Sequence, residues 1–210
     1  MEALMERLTT TEAAVAAGVS VPQINRIIDE KILPEDLYST SPTRTFRTDA
    51  ALLIAFYFET ADSLTTNARL EAIRSAKMRC SSWNEWKDCT VKDHHLTIRF
   101  SDLWRQVDER LRQLSEARAM VVEDPEILSG TPVIRGTRIP VHDVAAQAEA
   151  GVPMEEILEM YPRLNAARVE LASIYAKAVP QRGRPRRLSI PGATTISVTR
   201  KRLRSSSHGA

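Results

Sequence analysis

At 210 residues the chain has the length of one domain or two. With 43% hydrophobic but only 5% aromatic residues, it suits a modest helical core better than an aromatic-rich β-sandwich. Its longest apolar run, Ala50 to Phe58, has nine residues against the roughly 20 needed to cross a bilayer, so no membrane association is expected.

The opening MEALMERLTTTEAA carries acids and lacks a charged-then-apolar leader, which points to the cytoplasm. The net charge of +2 conceals a division. Eight of the 29 basic residues and none of the 27 acids lie from Gln181 onward, so that segment carries +8 and the rest −6. An acidic body followed by a basic Pro/Gly/Ser-containing arm suggests a folded unit with a disordered interaction tail. Two cysteines, Cys80 and Cys89, are too few for a disulfide framework and lack zinc-ribbon spacing. The irregular grouping of Cys80, Cys89, His94 and His95 does not suggest a metal site, and no cofactor is expected.

In chain order, the first pattern is LTTTEAAVAAGVSVPQINRIIDEKIL, residues 8–33. A Thr9 or Thr10 cap opens a helix that Gly18 stops, and Ser20 caps a second helix with Pro22 in its first turn. Ala14, Gly18, Ile24 and Ile27 fall where a DNA-binding helix-turn-helix needs a small crossing residue, a turn glycine and branched anchors. Gln23, Asn25 and Arg26 then lie on the outer face of the second helix, with side chains able to hydrogen-bond base edges. The segment STSPTRTFR is expected to form a wing that presents Arg44 and Arg47 to phosphate, and DAALLIAFYF a helix that closes the core. This order of hairpin, basic wing and apolar helix resembles the winged helix-turn-helix heads of MerR-like and excisionase-like regulators.

TTNARLEAIRSAK reads as another helix and residues 78–95 as a loop or hairpin, with Trp83 and Trp86 as packing residues. LTIRF alternates as a half-buried strand. Ser101 or Asp102 then caps a helix to Glu116 whose Leu103, Val107, Leu111 and Leu114 form one core stripe.

Residues 121–175 contain extended runs at Pro132 to Arg135 and Thr137 to Val141 around Gly136. Three short helices follow, His142 to Ala150, Met154 to Met160 and Asn165 to Ala176, punctuated by Gly151, Pro153 and Pro162. DPEILSGTPVIRGTRIPV and the following AGVPMEEILEMYPRLNAARVELA are similar to the small antitoxin family with the GTRIPV signature, first catalogued as a domain of unknown function. Ser129 stands where that family usually has glycine, and Thr131 where lysine is common.

The resemblance implies a VapB-type partner of a PIN-like ribonuclease toxin, hence a helix-turn-helix-like domain used for dimerisation and toxin docking. Its own second helix carries Glu155, Glu156 and Glu159, which repel phosphate. Arg135 and Arg138 either stabilise their turn or pair with acids across an interface.

The expected fold is therefore mainly α. A winged helix-turn-helix head occupies residues 1–80 and a connecting loop, strand and helix residues 81–120. A small helical domain with a short β-hairpin occupies 121–180 and a basic tail 181–210. The expected function is an antitoxin that binds a PIN-like toxin and represses its own operon from operator DNA as a homodimer, forming a higher assembly with the toxin. The alternative is a stand-alone DNA-binding regulator whose tail contacts phosphate.

Self-association is expected through Val133, Ile134, Ile139 and Val141. Toxin binding is expected through Arg182, Arg184, Arg186, Arg187, Arg200, Arg202 and Arg204, whose guanidinium groups suit the carboxylates of a Mg²⁺-dependent nuclease, with Leu188, Ile196 and Val198 as apolar anchors. No catalytic residues are expected. The chain lacks a phosphate loop, HExxH and a nucleophile elbow, and Asp124, Glu126, His142 and Asp143 are the sole acid–base grouping of note.

Overall fold

The computed structural model describes residues 7–93 and 96–181. The protein is mainly helical with small antiparallel sheets. The expected tail contacts from Arg182 to Arg204, and His94 and His95, lie outside the described residues.

A short strand β1 (Arg7–Thr9) leads into α1 (Thr10–Ala17). Thr9 caps that helix in a reciprocal box: Glu12 N donates to Thr9 Oγ1, and Thr9 N donates to Glu12 Oε2 at 2.8 Å. Gly18, in the left-handed region at φ 70°, ends α1, and its N–H reaches back to the carbonyls of Ala14 and Val15. Ser20 opens α2 (Val21–Asp29) with a second capping box, closed by Gln23. Ile24 and Ile27 of α2 are fully buried, as the sequence pattern requires.

Strands β2 (Tyr38–Ser39) and β3 (Thr45–Arg47) form a hairpin, and β1 pairs along β3 to complete a three-stranded sheet in the order β1-β3-β2. Leu8 stands opposite Phe46 in this register and both are fully buried, which turns Arg7, Thr45 and Arg47 to the other face. The strand β1 was not expected, because three residues are too few to show alternation.

Helix α3 (Thr48–Glu59) lies in the middle of this unit, with every side chain from Ala50 to Tyr57 buried. An all-apolar run of this length is a core helix rather than an amphipathic one. Helix α4 (Thr66–Arg79), capped by Thr65, covers it through Ala72, Ile73 and Ala76.

A single helical turn over Trp83–Asp88 and the hairpin β4 (Thr90–Asp93) with β5 (Leu96–Arg99) follow. Trp86 is fully buried edge-on to Phe100, and Trp83 Nε1 donates to Asp108, so both tryptophans pack. The strand itself sits further out than expected. Leu96 is 38% exposed, and Val91 and Phe100 carry the inward contacts instead.

Helix α5 (Ser101–Met120) runs four residues beyond the expected end. It also starts without a side-chain cap, since Asp102 pairs with Arg105. It crosses both cores. Val107, Leu111 and Leu114 belong to the first, whereas Ala117 and Met120 belong to a second one built from the C-terminal third of the chain. Residues 81–120, expected as a connector, thus supply part of both cores.

The second core is closed by β6 (Val121–Val122) paired with β7 (Val133–Ile134), then α6 (Val141–Glu149), α7 (Met154–Met160) and α8 (Ala166–Ala178). Gly136, at φ 77°, makes the turn in which Thr137 N donates to the Ile134 carbonyl. Asn165 caps α8 at Arg168 N.

The two cores meet where α8 returns to α1. Thr11 Oγ1 donates to the Ala178 carbonyl at 2.6 Å, and Arg118 of α5 pairs with the buried Glu12 of α1.

Candidate nucleic-acid interface

The exposed edge shared by α2 and the β2–β3 hairpin collects most of the residues expected to touch DNA. Arg44, just before β3, donates from Nη1 to Asn25 Oδ1 at 2.8 Å, so the hairpin and α2 are joined through two of those side chains. Arg26 projects one residue further along and pairs with Glu30 at 2.8 Å; both side chains remain about half exposed. That neighbour raises the guanidinium pKa above its already high value, so Arg26 is a fixed cation. Asp29 and Glu30 make the far end of α2 acidic, which leaves its N-terminal half as the end fit for phosphate and base edges.

Two expected contacts are committed elsewhere. Gln23 Oε1 accepts from Ser20 N at 2.8 Å and from Ser20 Oγ at 2.9 Å, so this side chain first serves as the cap of its own helix. Arg47 grips the carboxylate of Asp49 with two bonds of 3.1 and 3.2 Å, and Lys77 approaches the same buried carboxylate at 3.4 Å. Asp49 is 5% exposed, and these cations offset the cost of burying its carboxylate. Arg47 therefore holds the start of α3, and its place in the hairpin does not make it a free phosphate contact.

Arg7 was not among the expected residues. It faces the same side of the sheet as Thr45 and donates to Thr45 Oγ1, extending the basic edge that Arg44 begins. The signal was present in the polar-apolar-polar order of Arg7, Leu8 and Thr9, but it could be read only once β1 was known to pair.

The C-terminal unit carries a different surface. Glu155, Glu156 and Glu159 are all exposed on α7. Arg135 donates from Nε to the Ala119 carbonyl at 3.0 Å, so it secures the turn at the end of α5, while Arg138 is exposed.

Val133, Ile134, Ile139 and Val141, through which self-association is expected, lie largely inside the single chain. Val133, Ile134 and Val141 are at most 1% exposed within the single chain. Val133 is paired with β6 on one side and bridged to Pro140 on the other, and Ile139 is half-buried against the second core. Apolar residues in short strands suggest an open sheet edge, whereas the chain closes that edge on itself.

Asp124 accepts from Glu126 N inside its own turn. His142 sits 5.8 Å from the Tyr175 ring, and burial pushes its pKa below the ordinary value. Tyr175 donates to Glu123 at 3.3 Å.

Cys80 and Cys89 are buried neighbours, and burial followed by the contact with Cys89 pushes the Cys80 thiol up to about 12. Among the described residues no group of three or more His, Cys, Asp or Glu side chains is arranged to hold a metal, and no helix is long and apolar enough to cross a membrane.

The architecture is that of a mainly helical protein in which a helix pair and basic hairpin precede a small C-terminal unit with the GTRIPV turn. Residues 121–176 of that unit match the family described as "Protein of unknown function (DUF433)". The chain belongs to the same family as the uncharacterized protein y4eO of Sinorhizobium fredii (strain NBRC 101917 / NGR234), with which it shares 47% identity over 193 residues, 89% of this chain and 87% of that one. The crystal structure of Rv2018 from Mycobacterium tuberculosis is similar over 79% of this chain and 95% of its own, at 16% identity and a TM-score of 0.32.

Proposed function

We propose that this protein is a DNA-binding antitoxin, whose N-terminal unit acts as a winged helix-turn-helix on the operator of its own operon. The observation that carries this reading is the gathering of Asn25, Arg26 and Arg44 on one exposed edge of a helix entered through a tight glycine turn and flanked by a two-stranded hairpin. In that role α2 enters the major groove, the β2–β3 hairpin is the wing, and Arg7 and Arg44 meet phosphate. Two copies bind a two-fold-symmetric site, because one such helix covers too little DNA for tight specific binding.

The toxin-neutralising half of the proposal rests on the GTRIPV resemblance and on the charge of the segment after Gln181. A PIN-like ribonuclease gathers carboxylates around Mg²⁺, and arginines can occupy that acidic site in the cation's place.

The DNA reading is tested by a mobility-shift titration of the full chain on the duplex upstream of its own reading frame. Arg26→Ala should weaken the shift about tenfold or more. Equal affinity of variant and wild type would remove α2 as the reading element.

A further inference from the structure

The polar ends of two amides on α2 can be assigned from their partners. A backbone N–H only donates, so the Gln23 atom 2.8 Å from Ser20 N is its oxygen. A guanidinium only donates, so the Asn25 atom 2.8 Å from Arg44 Nη1 is also its oxygen. Turning the Asn25 amide over would set its NH₂ against the NH₂ of Arg44, donor facing donor. With both oxygens engaged, the groups at the N-terminal half of α2 and the adjoining end of the hairpin that keep free hydrogens are the two amide NH₂ groups and the guanidinium groups of Arg26 and Arg44. Among the described residues the Asn25 NH₂ makes no hydrogen bond.

This arrangement bears on which base Asn25 can read. Asparagine recognises adenine with two bonds, giving one from its NH₂ to N7 and accepting one from the N6 amine. Here the accepting atom already holds a charged donor, and the cation beside it opposes the approach of a second NH₂ group. Guanine has acceptors at both N7 and O6 on its major-groove edge, which is the pattern that the Asn25 NH₂ beside a guanidinium fits.

We propose that the bond from Arg44 to Asn25 is a specificity device that turns the base position faced by Asn25 toward guanine and away from adenine. It rests on the reading of α2 as a DNA-contacting helix. Arg44 acts here as a positioning residue for Asn25, whatever phosphate contact it also makes.

The test uses the full chain and selection from a library of duplexes with randomised positions, for wild type, Asn25→Ala and Arg44→Ala. Sites enriched by wild type should carry guanine at one position where Asn25→Ala shows no preference. Arg44→Ala frees the amide, so the same position should change to adenine. In anisotropy titrations on the two matched duplexes, the guanine-over-adenine preference should fall about tenfold or reverse.

A structural role for Arg44 alone, or a phosphate contact alone, would weaken both duplexes equally and leave their ratio unchanged; that result overturns the proposal while leaving the DNA reading intact. So would adenine at the Asn25-dependent position in wild type, or the absence of any such position. Failure of wild type to enrich any sequence would remove the DNA reading and this inference together. Both side chains are at the surface, and circular dichroism of the variants confirms that the comparison is between folded proteins.

Discussion

Gly18 shows how much of the head depends on single positions. Its φ of 70° lies in the left-handed region, where a Cβ costs about 1–2 kcal/mol. Its surroundings add to this, since a Cβ built there would stand 2.8 Å from Arg110 Nη1. Arg110 reaches across from α5 to the Ala17 carbonyl, placing a cation at the C-terminal end of α1 where the helix dipole favours it.

Gly18→Ala should therefore lower Tm by several degrees in a thermal melt. The loss should be smaller in an Arg110→Ala background, because the displaced guanidinium is already gone. Equal losses in both backgrounds would show that the backbone alone carries the cost.

The same scale explains what single residues concealed in the sequence. Gln23, Arg47 and Ile134 all have the chemistry expected of an interface, yet each is claimed by a neighbour: Gln23 by Ser20, at a capping-box spacing the sequence does carry, and Arg47 and Ile134 by Asp49 and the second core, which spacing does not reveal. Asn25 and Arg44 were singled out separately, and their bond across 19 positions was legible only in three dimensions.

At the scale of elements, punctuation decided what could be read. Helices α6, α7 and α8 are bounded by Pro140, Gly151, Pro153 and Asn165, and their expected limits lie within two residues of those observed. Strand β6, two residues long, offers no periodicity and was not foreseen.

Helix α5 extends past its expected end at Glu116, although its large apolar stripe ends at Leu114. The helix goes on through Ala117, Arg118, Ala119 and Met120, all good helix formers, while its buried face changes from the first core to the second. That last turn is part of the C-terminal fold. Arg135 N donates to the Met120 carbonyl at 2.8 Å, and Ala117 is fully buried.

A fragment of residues 121–180 should thus lack a cooperative thermal transition by circular dichroism, whereas 101–180 should have one. A 60-residue piece is marginal even with its core complete. Matching transitions in the two fragments would show that the C-terminal unit closes without α5.

Across the whole molecule, the two cores are tied by α5, which runs through both, and by the end of α8, which lies against the start of α1. Thr11 bonds to the Ala178 carbonyl and Glu12 pairs with Arg118, so the chain leaves α8 beside the first helix of the proposed DNA-reading pair. The segment that follows holds eight basic residues and no acid, set after a body of net charge −6. Among the described residues, Ala178 and Val179 are the last that pack on the two cores.

Ending the chain at Gln181 should consequently leave melting and operator binding unchanged, apart from a shallower salt dependence if the tail touches phosphate. What it should abolish is protection. The truncated chain, co-expressed with a candidate PIN-like nuclease, should fail to restore growth where the full chain succeeds. Growth restored equally by both would place neutralisation in the C-terminal unit rather than the tail. Intact protection combined with a clear loss of DNA affinity would instead assign the arginines to phosphate and favour a regulator that works without them as a plug.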